Sequence, residues 1–250
     1  MSESLTQVFA PPKSLAPGPM HFCPGCTHGI ILRLVAEVID ELGVRDRTVG
    51  ISPVGCAVFA YDYFDFDVVE AAHGRAPAVA TGVKRALPGS FVFTYQGDGD
   101  LAAIGTAEII HAAARSEQIS VVFVNNAIFG MTGGQMAPTT LVGQDTTTTS
   151  GGRKLLEAGN PLRVCELLAT LDGPSYVARV TVTSPAHVRK AKQALRKSFE
   201  CQVKGQGFSL VEILSTCPSC WHLSPLDALA WLEEKMIPHY PLGEFVLRCG

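Results

Sequence analysis

The sequence predicts an α/β fold built on a mainly parallel, doubly wound sheet. Short apolar runs rich in β-branched and aromatic residues alternate with stretches of helical periodicity along the chain. One strand–helix–strand unit stands out in the middle: Phe91-Val92-Phe93-Thr94-Tyr95, then Leu101 to Ala114, then Ile119 to Val124. Such a unit crosses over right-handed and leaves its two strands parallel. No internal repeat or linker divides the 250 residues, a length with ample material for one core.

The elements follow in order. Residues 1–20 hold Pro11, Pro12, Pro17, Gly18 and Pro19 with little periodicity, so they are expected to form an extended arm, with 21–250 a single domain. Thr27 stands where it can cap a helix running to about Leu42, with Ile31, Leu34, Val35, Val38, Ile39 and Leu42 as its apolar stripe and Gly43 closing it. Thr48 to Ile51 is a short strand, followed by the Ser52-Pro53-Val54-Gly55-Cys56 loop. Pro77 suits the first turn of a helix ending near Ala86. After the central unit comes a long Thr/Gly-rich stretch, Thr132 to Arg153; loops of that length usually cover a site or meet a partner. Tyr176–Thr183 and Phe208–Leu214 read as strands around a helix begun by Ser184-Pro185. Ser224-Pro225 starts a last helix to about Lys235, whose Leu226, Leu229 and Ala230 stripe is expected in the core.

Composition excludes some roles. With 20 Lys+Arg against 23 Asp+Glu, the net charge of -3 gives no pull toward nucleic acid or anionic lipid. No apolar run approaches the ~18 residues of a membrane span, and Met1-Ser2-Glu3-Ser4 lacks the layout of a secretory signal. A cytoplasmic protein with neither a nucleic-acid nor a membrane partner is expected. The eight cysteines are therefore not read as a disulfide framework. Cys23-Pro24-Gly25-Cys26 and Cys217-Pro218-Ser219-Cys220 have the Cys-x-x-Cys spacing of metal or redox sites, whereas Cys56, Cys165, Cys201 and Cys249 stand alone. Cys165, Cys201 and Cys249 are expected to be buried small hydrophobes.

Gly97-Asp98-Gly99 lies between an apolar strand and a helix. Glycines there let a ligand approach the backbone, and the helix offers unpaired N–H groups that suit phosphate. Gly97-x-Gly99-x-x-Ala102 satisfies the relaxed dinucleotide fingerprint, but the next strand ends in Asn125-Asn126 without the carboxylate a ribose wants. Asp98 would also repel a bare pyrophosphate. Mg²⁺ resolves that conflict, because it accepts carboxylate, amide and phosphate oxygens together. Asp98 and Asn126 should end adjacent parallel strands and converge on one ion. The plain alternative is a glycine turn with a capping Asp.

The text Tyr95-Gln96-Gly97-Asp98-Gly99-Asp100, with Asn126 after 26 residues in Asn125-Asn126-Ala127-Ile128-Phe129-Gly130-Met131-Thr132-Gly133-Gly134-Gln135, resembles the β subunit of the 2-oxoacid:ferredoxin oxidoreductases. His21-Phe22-Cys23-Pro24-Gly25-Cys26 and His73-Gly74-Arg75-Ala76 agree with it, and the likeness covers nearly the whole chain. The resemblance implies a thiamine-diphosphate-binding fold in which Asp98, Asn126 and the main-chain oxygen of Ile128 hold Mg²⁺. Val54, Gly55, Cys56, Ala57, Gly97, Gly99, Asp100, Gly130 and Met131 would line the thiamine diphosphate. His73 joins them by resemblance, although a lone histidine is ordinarily a satisfied core or surface residue. The Glu that activates the cofactor is expected on a partner α subunit, so no catalytic base is sought in this chain.

Three readings compete for the cysteines: a structural Cys₄ zinc site, redox dithiols, and an iron–sulfur cluster. Two matched pairs by themselves favour zinc. The resemblance instead implies a 4Fe–4S cluster on Cys23, Cys26, Cys56 and Cys217, with Cys220 left over. Thr27 stands where the family often has Gly. Cys56, Asp98, Asn126 and Cys217 all follow predicted strands, at the edge where open α/β sheets bind ligands. The implied reaction is oxidative decarboxylation of a 2-oxoacid with coenzyme A, passing electrons through the cluster to ferredoxin. Overall resemblance leans to 2-oxoglutarate, with a branched-chain acid also open, and to a dimer of αβ pairs. The rivals are a zinc-stapled, non-catalytic interaction subunit and a thiamine lyase or carboligase without a cluster.

Overall fold

A computed structural model describes residues 10–249 of the protein. Among these, seven strands form one sheet: β1 (Thr48–Pro53), β2 (Asp67–Ala71), β3 (Phe91–Gly97), β4 (Ser120–Asn125), β5 (Pro174–Thr181), β6 (Phe208–Leu214) and β7 (Gly243–Leu247). Their spatial order is β2-β1-β3-β4-β6-β5-β7. All neighbours run parallel except β5 and β7. The expected mainly parallel, doubly wound sheet is the one observed.

Side chains alternate between two apolar layers, as the period of a strand requires. Phe91, Phe93, Tyr95, Val122, Val124 and Val211 pack with α1 (His28–Leu42) and α5 (Pro185–Val203). Val92, Val121, Phe123 and Leu210 pack on the other face with α2 (Ala76–Ala86), α3 (Thr106–Ala114) and α4 (Val164–Ala169). A strand buried on both faces reads as a continuous apolar run, and each such Val or Phe contributes roughly 1.5–3 kcal/mol on burial. A smaller cluster, with Leu141, Leu232, Met236 and Tyr240, packs α6 (Pro225–Trp231) and the segment after it against the long loop.

Several local expectations change. Residues 1–9 of the expected arm lie outside the described residues. Ser14 within the arm is fully buried and bonded to Asp40 (2.6 Å), so this stretch is pinned to the C-terminal end of α1. Thr27 does not cap α1; its hydroxyl is used by Ser215 at 2.6 Å. The helix expected over Leu101–Ala114 begins as a π-helical turn, Asp100–Ile104, and breaks at Gly105. A Cβ there would sit 2.9 Å from both Gly74 O and Asp100 O, so the adjoining loop presses into the break. Leu226 of the last helix is 77% exposed, and Ala228, Leu232 and Met236 take the core instead. That helix departs from α geometry after Trp231, which rotates the buried stripe. Cys165 is buried as expected, but its thiol donates to Glu212 (3.0 Å). Cys201 and Cys249 are corrected from separate hydrophobes to a disulfide pair, brought together where β7 returns alongside α5.

Candidate active site and thiol ring

β1, β3, β4 and β6 are consecutive in the sheet, so the residues after them share one carboxyl edge. Gly97 pairs with Val124, and just beyond that pair Asp98 and Asn126 meet, as expected at the ends of adjacent parallel strands. Asp98 is 2% exposed; it accepts from Thr139 Oγ1 (2.6 Å), Gly99 N (2.9 Å) and Ile128 N (3.2 Å). Burial pushes its carboxyl up to about 7, against the pull of those donors. In one amide orientation, Asn126 Oδ1 lies 2.8 Å from Ile128 O and 3.1 Å from Asp98 Oδ1. Three oxygens then converge, each with a lone pair to spare beyond the backbone N–H groups of Gly99 and Ile128 that reach Asp98 and Asn126, a set that a hard divalent cation suits. The reversed amide donates to both oxygens instead. The predicted oxygen set therefore fits Mg²⁺.

The turn after β4 is tightly held. Asn125 Nδ2 donates to Glu212 (2.7 Å), and Asn125 Oδ1 accepts from Ala127 N (3.0 Å). Ala127 adopts a left-handed φ of 56°, and its carbonyl accepts from Thr140 (2.7 Å) and Gln144 (3.1 Å). The Thr/Gly-rich stretch thus covers the site, as its length suggested. Arg153, 4% exposed, organises it by donating to the carbonyls of Pro138, Thr140, Ala158, Gly159 and Asn160. Sequence reasoning missed both Thr139 and Arg153. Nothing local distinguishes one threonine of that stretch from another, and a lone arginine at its end reads as surface.

Asp100 and His73 meet. Asp100 Oδ1 accepts from Gly74 N (2.5 Å) and His73 Nδ1 (2.6 Å), and Oδ2 accepts from Gln96 Nε2 (2.6 Å). Thr94 in turn donates to Gln96 Oε1 (2.8 Å). A carboxylate only accepts, so Nδ1 of His73 carries hydrogen and Nε2 is the ring's remaining polar atom. Thr94 and Gln96 are fully buried, so this chain fixes the imidazole rigidly. Asp100→Ala would leave three donors without their partner, at about 1–3 kcal/mol for each buried one. It is expected to weaken Mg²⁺–thiamine diphosphate binding about tenfold or more, measured by calorimetry. Asp100→Asn, able to accept from Gly74 and His73 with Gln96 turned over, should restore most of it.

His73, Asp98, Asp100, Asn126 and Ile128 line a cleft of about 80 Å³ with His28, Val54, Gly55, Cys56, Ala57, Gly97, Gly99, Phe129, Gly130 and Met131. That is well below the roughly 300–1,000 Å³ of a complete ligand pocket. A Cβ on Gly99 would fall 2.3 Å from the Phe129 ring. Gly99→Ala must therefore displace that ring, with an expected loss of about 1–3 kcal/mol in chemical denaturation.

Five thiols gather beside the cleft. Cys26 N donates to Cys23 O (3.0 Å), closing a turn in which Gly25 has φ 79° and lies against Pro225. Thr216 Oγ1 donates to Gly25 O (2.7 Å), tying that turn to the residue before Cys217. A methyl-sized point above Gly130 lies 3.4 Å from Cys56 Sγ, 3.5 Å from Cys217 Sγ and 3.8 Å from Asn126 Nδ2. Cys220 Sγ donates to Gly130 O (3.3 Å), and Trp221 Nε1 to Asn126 O (3.1 Å). Burial, reinforced by neighbouring thiols, pushes Cys26 up to about 12 and Cys56 up to about 11. A thiol becomes a metal ligand only by giving up its proton. Among the described residues, no three His, Cys, Asp or Glu side chains are spaced for a single metal ion. The Cys56 and Cys217 sulfurs flank one point above Gly130, with the Cys220 thiol on the carbonyl of the same residue.

Fold and cleft together define a thiamine-diphosphate-binding domain: residues 53–213 match the family described as thiamine pyrophosphate enzyme, C-terminal TPP binding domain. The chain is 51% identical to the ketoisovalerate oxidoreductase subunit VorA of Methanothermobacter marburgensis over 243 residues, 97% of this chain and 51% of that one. It is 39% identical to the 2-oxoglutarate synthase subunit KorB of Archaeoglobus fulgidus over 217 residues, 87% of this chain and 77% of that one. A solved structure, the 2-oxoglutarate:ferredoxin oxidoreductase from Magnetococcus marinus with 2-oxoglutarate, coenzyme A and succinyl-CoA bound, superposes with a TM-score of 0.82 at 26% identity. That match covers 98% of this chain and 87% of the other. The chain belongs to the 2-oxoacid:ferredoxin oxidoreductase family, as a thiamine-diphosphate-binding subunit. It spans about half the length of the Methanothermobacter relatives it matches. Among the described residues no helix is long and apolar enough to cross a membrane.

Proposed function

We propose that this chain is the β subunit of an enzyme that oxidatively decarboxylates a 2-oxoacid to an acyl-CoA, passing the electrons through a 4Fe–4S cluster to ferredoxin. The observation that carries this reading is the position of Gly130. One side chain's width separates it from two cysteine sulfurs and from Asn126 of the oxygen set. Asp98, Asn126 and Ile128 O would hold Mg²⁺, and Cys23, Cys26, Cys56 and Cys217 the cluster. Val54, Gly55, Cys56, Ala57, Gly97, Gly99, Gly130, Met131 and His73 would line the thiamine diphosphate. Asp100 lies in the same cleft with both oxygens committed to protein donors, so its part is to orient His73.

Thiamine diphosphate supplies the electron sink for loss of CO₂, and a neighbouring cluster accepts electrons one at a time. This chain's residues would hold the Mg²⁺ that neutralises and positions the diphosphate, and they fix the imidazole of His73. The shallow cleft supports a second wall, with the activating Glu, from a partner α subunit in a dimer of αβ pairs. The 51% identity to a ketoisovalerate oxidoreductase subunit supports a branched-chain 2-oxoacid ahead of 2-oxoglutarate.

Anaerobic purification with the partner subunit tests the reading. About four irons and four labile sulfides per chain are expected, with a visible band bleached by dithionite and by 2-oxoisovalerate plus coenzyme A. Zinc without iron would sink it in favour of a stapled interaction subunit. Mg²⁺-dependent cofactor binding without iron would leave a thiamine lyase or carboligase. Faster reduction by 2-oxoglutarate would move the substrate to the dicarboxylic acid.

A further inference from the structure

We propose that Cys220 is a reserve ligand for the cluster corner assigned to Cys217, so that either thiol can hold the same iron. The inference rests on the cluster reading above and adds to it a role for a cysteine that reading leaves idle.

A 4Fe–4S cluster takes four thiolates, and five thiols meet here. Cys217 and Cys220 stand at i and i+3 on one helical turn, closed by Trp221 N donating to Cys217 O (2.9 Å). Side chains so spaced are neighbours on one face. Both face Gly130: Cys217 Sγ is 3.5 Å from its missing Cβ, and the Cys220 thiol is 3.3 Å from its carbonyl oxygen.

Little has to move for an exchange. The turn is anchored by the Trp221 bond to Asn126 O and by the Thr216 bond to Gly25 O, neither of which involves a cysteine side chain. The Cys220 thiol is held by its hydrogen bond to Gly130 O, weak by the nature of the S–H donor, and lies against Cys217 itself. The other cysteines have no such understudy. Cys165 is buried and bonded to Glu212 on the opposite layer, and Cys201 is paired with Cys249. In the exchange, the iron–sulfur bond to Cys217 is replaced by one to Cys220. The proton leaving Cys220 goes to the released Cys217 thiolate, and no electron is transferred. Where Cys217 has been replaced, that proton goes to solvent as the cluster assembles.

The test uses the full chain with its partner subunit, purified anaerobically as wild type, Cys217→Ala, Cys217→Ser, Cys220→Ala, Cys217→Ala/Cys220→Ala and Cys23→Ala. Iron, labile sulfide, the electron paramagnetic resonance spectrum of the reduced protein and iodoacetamide labelling of each cysteine are measured. Wild type and Cys220→Ala should carry the same complement. Cys217→Ala and Cys217→Ser should keep roughly half or more of the four irons of a full cluster, with an altered spectrum. The double variant and Cys23→Ala should lose nearly all iron. Cys220 should label in the wild type and be protected in both Cys217 variants. The serine variant, nearly isosteric, guards against a folding defect in the alanine one. Cys217 variants as empty as the double variant would overturn the proposal while leaving the cluster reading intact. So would iron retained with Cys220 still labelled, or retention by Cys23→Ala as well. An iron-free wild type would overturn both.

Discussion

Asp98→Asn is expected to lose Mg²⁺-dependent thiamine diphosphate binding by about 100-fold or more, measured by titration calorimetry with and without Mg²⁺. Loss of a partner that merely supports a metal ligand typically lowers affinity 10–100-fold, and Asp98 is the one charged member of the oxygen set. The asparagine's one oxygen can still accept from Thr139 and Ile128, at the loss of the Gly99 N–H bond to the other carboxylate oxygen, so the fold should survive. What changes is the charge facing the cation and the diphosphate behind it. Thr139→Val removes a donor to Asp98 with nearly the same shape and should have a much smaller effect. Equal effects of the two variants would mean that Asp98 acts through the loop it anchors, not through a metal.

Arg179→Met is expected to destabilise the protein by about 3–5 kcal/mol, the usual cost of leaving one partner of a buried ion pair behind. Arg179 and Glu212 are both fully buried and meet at 2.8 Å, while the far end of the guanidinium reaches Glu166 at 2.6 Å. Burial works against the guanidinium charge, but the two carboxylates outweigh it and hold its pKa above the ordinary value. Glu212 also accepts from Cys165 and from Asn125, so the damage should travel to the Asn125–Ala127 turn. A lower urea midpoint with unchanged slope, together with weaker Mg²⁺-dependent cofactor binding, is the expected pair of results. Adding Glu212→Leu should recover part of the stability, because it removes the stranded charge, but not the binding, because Asn125 stays unpartnered.

Much of the frame was legible because it is local. Phe208–Leu214 was expected as a strand and is one with the same limits. Ser184 was expected to begin a helix, and its hydroxyl accepts from His187 N (3.2 Å). Where partners come from afar, reading failed. β2 was missed because its exposed edge carries little apolar pattern, and β7 because five residues near the chain end form a strand only by pairing with β5. Thr27 has the right type and position for a cap, yet Ser215, 188 residues away, claims its hydroxyl.

By itself, the sequence determined the alternation of strands and helices and the kinds of atom offered after each strand. Both follow from side-chain period and from the residue types at a few turns. Tertiary structure decided which of those atoms meet: Thr139 with Asp98, His73 with Asp100, Thr216 with Gly25, and Cys56 with Cys217 and Cys220 around Gly130. These contacts join segments distant in the chain. Their geometry comes from the order in which strands pack, and no local propensity encodes that order.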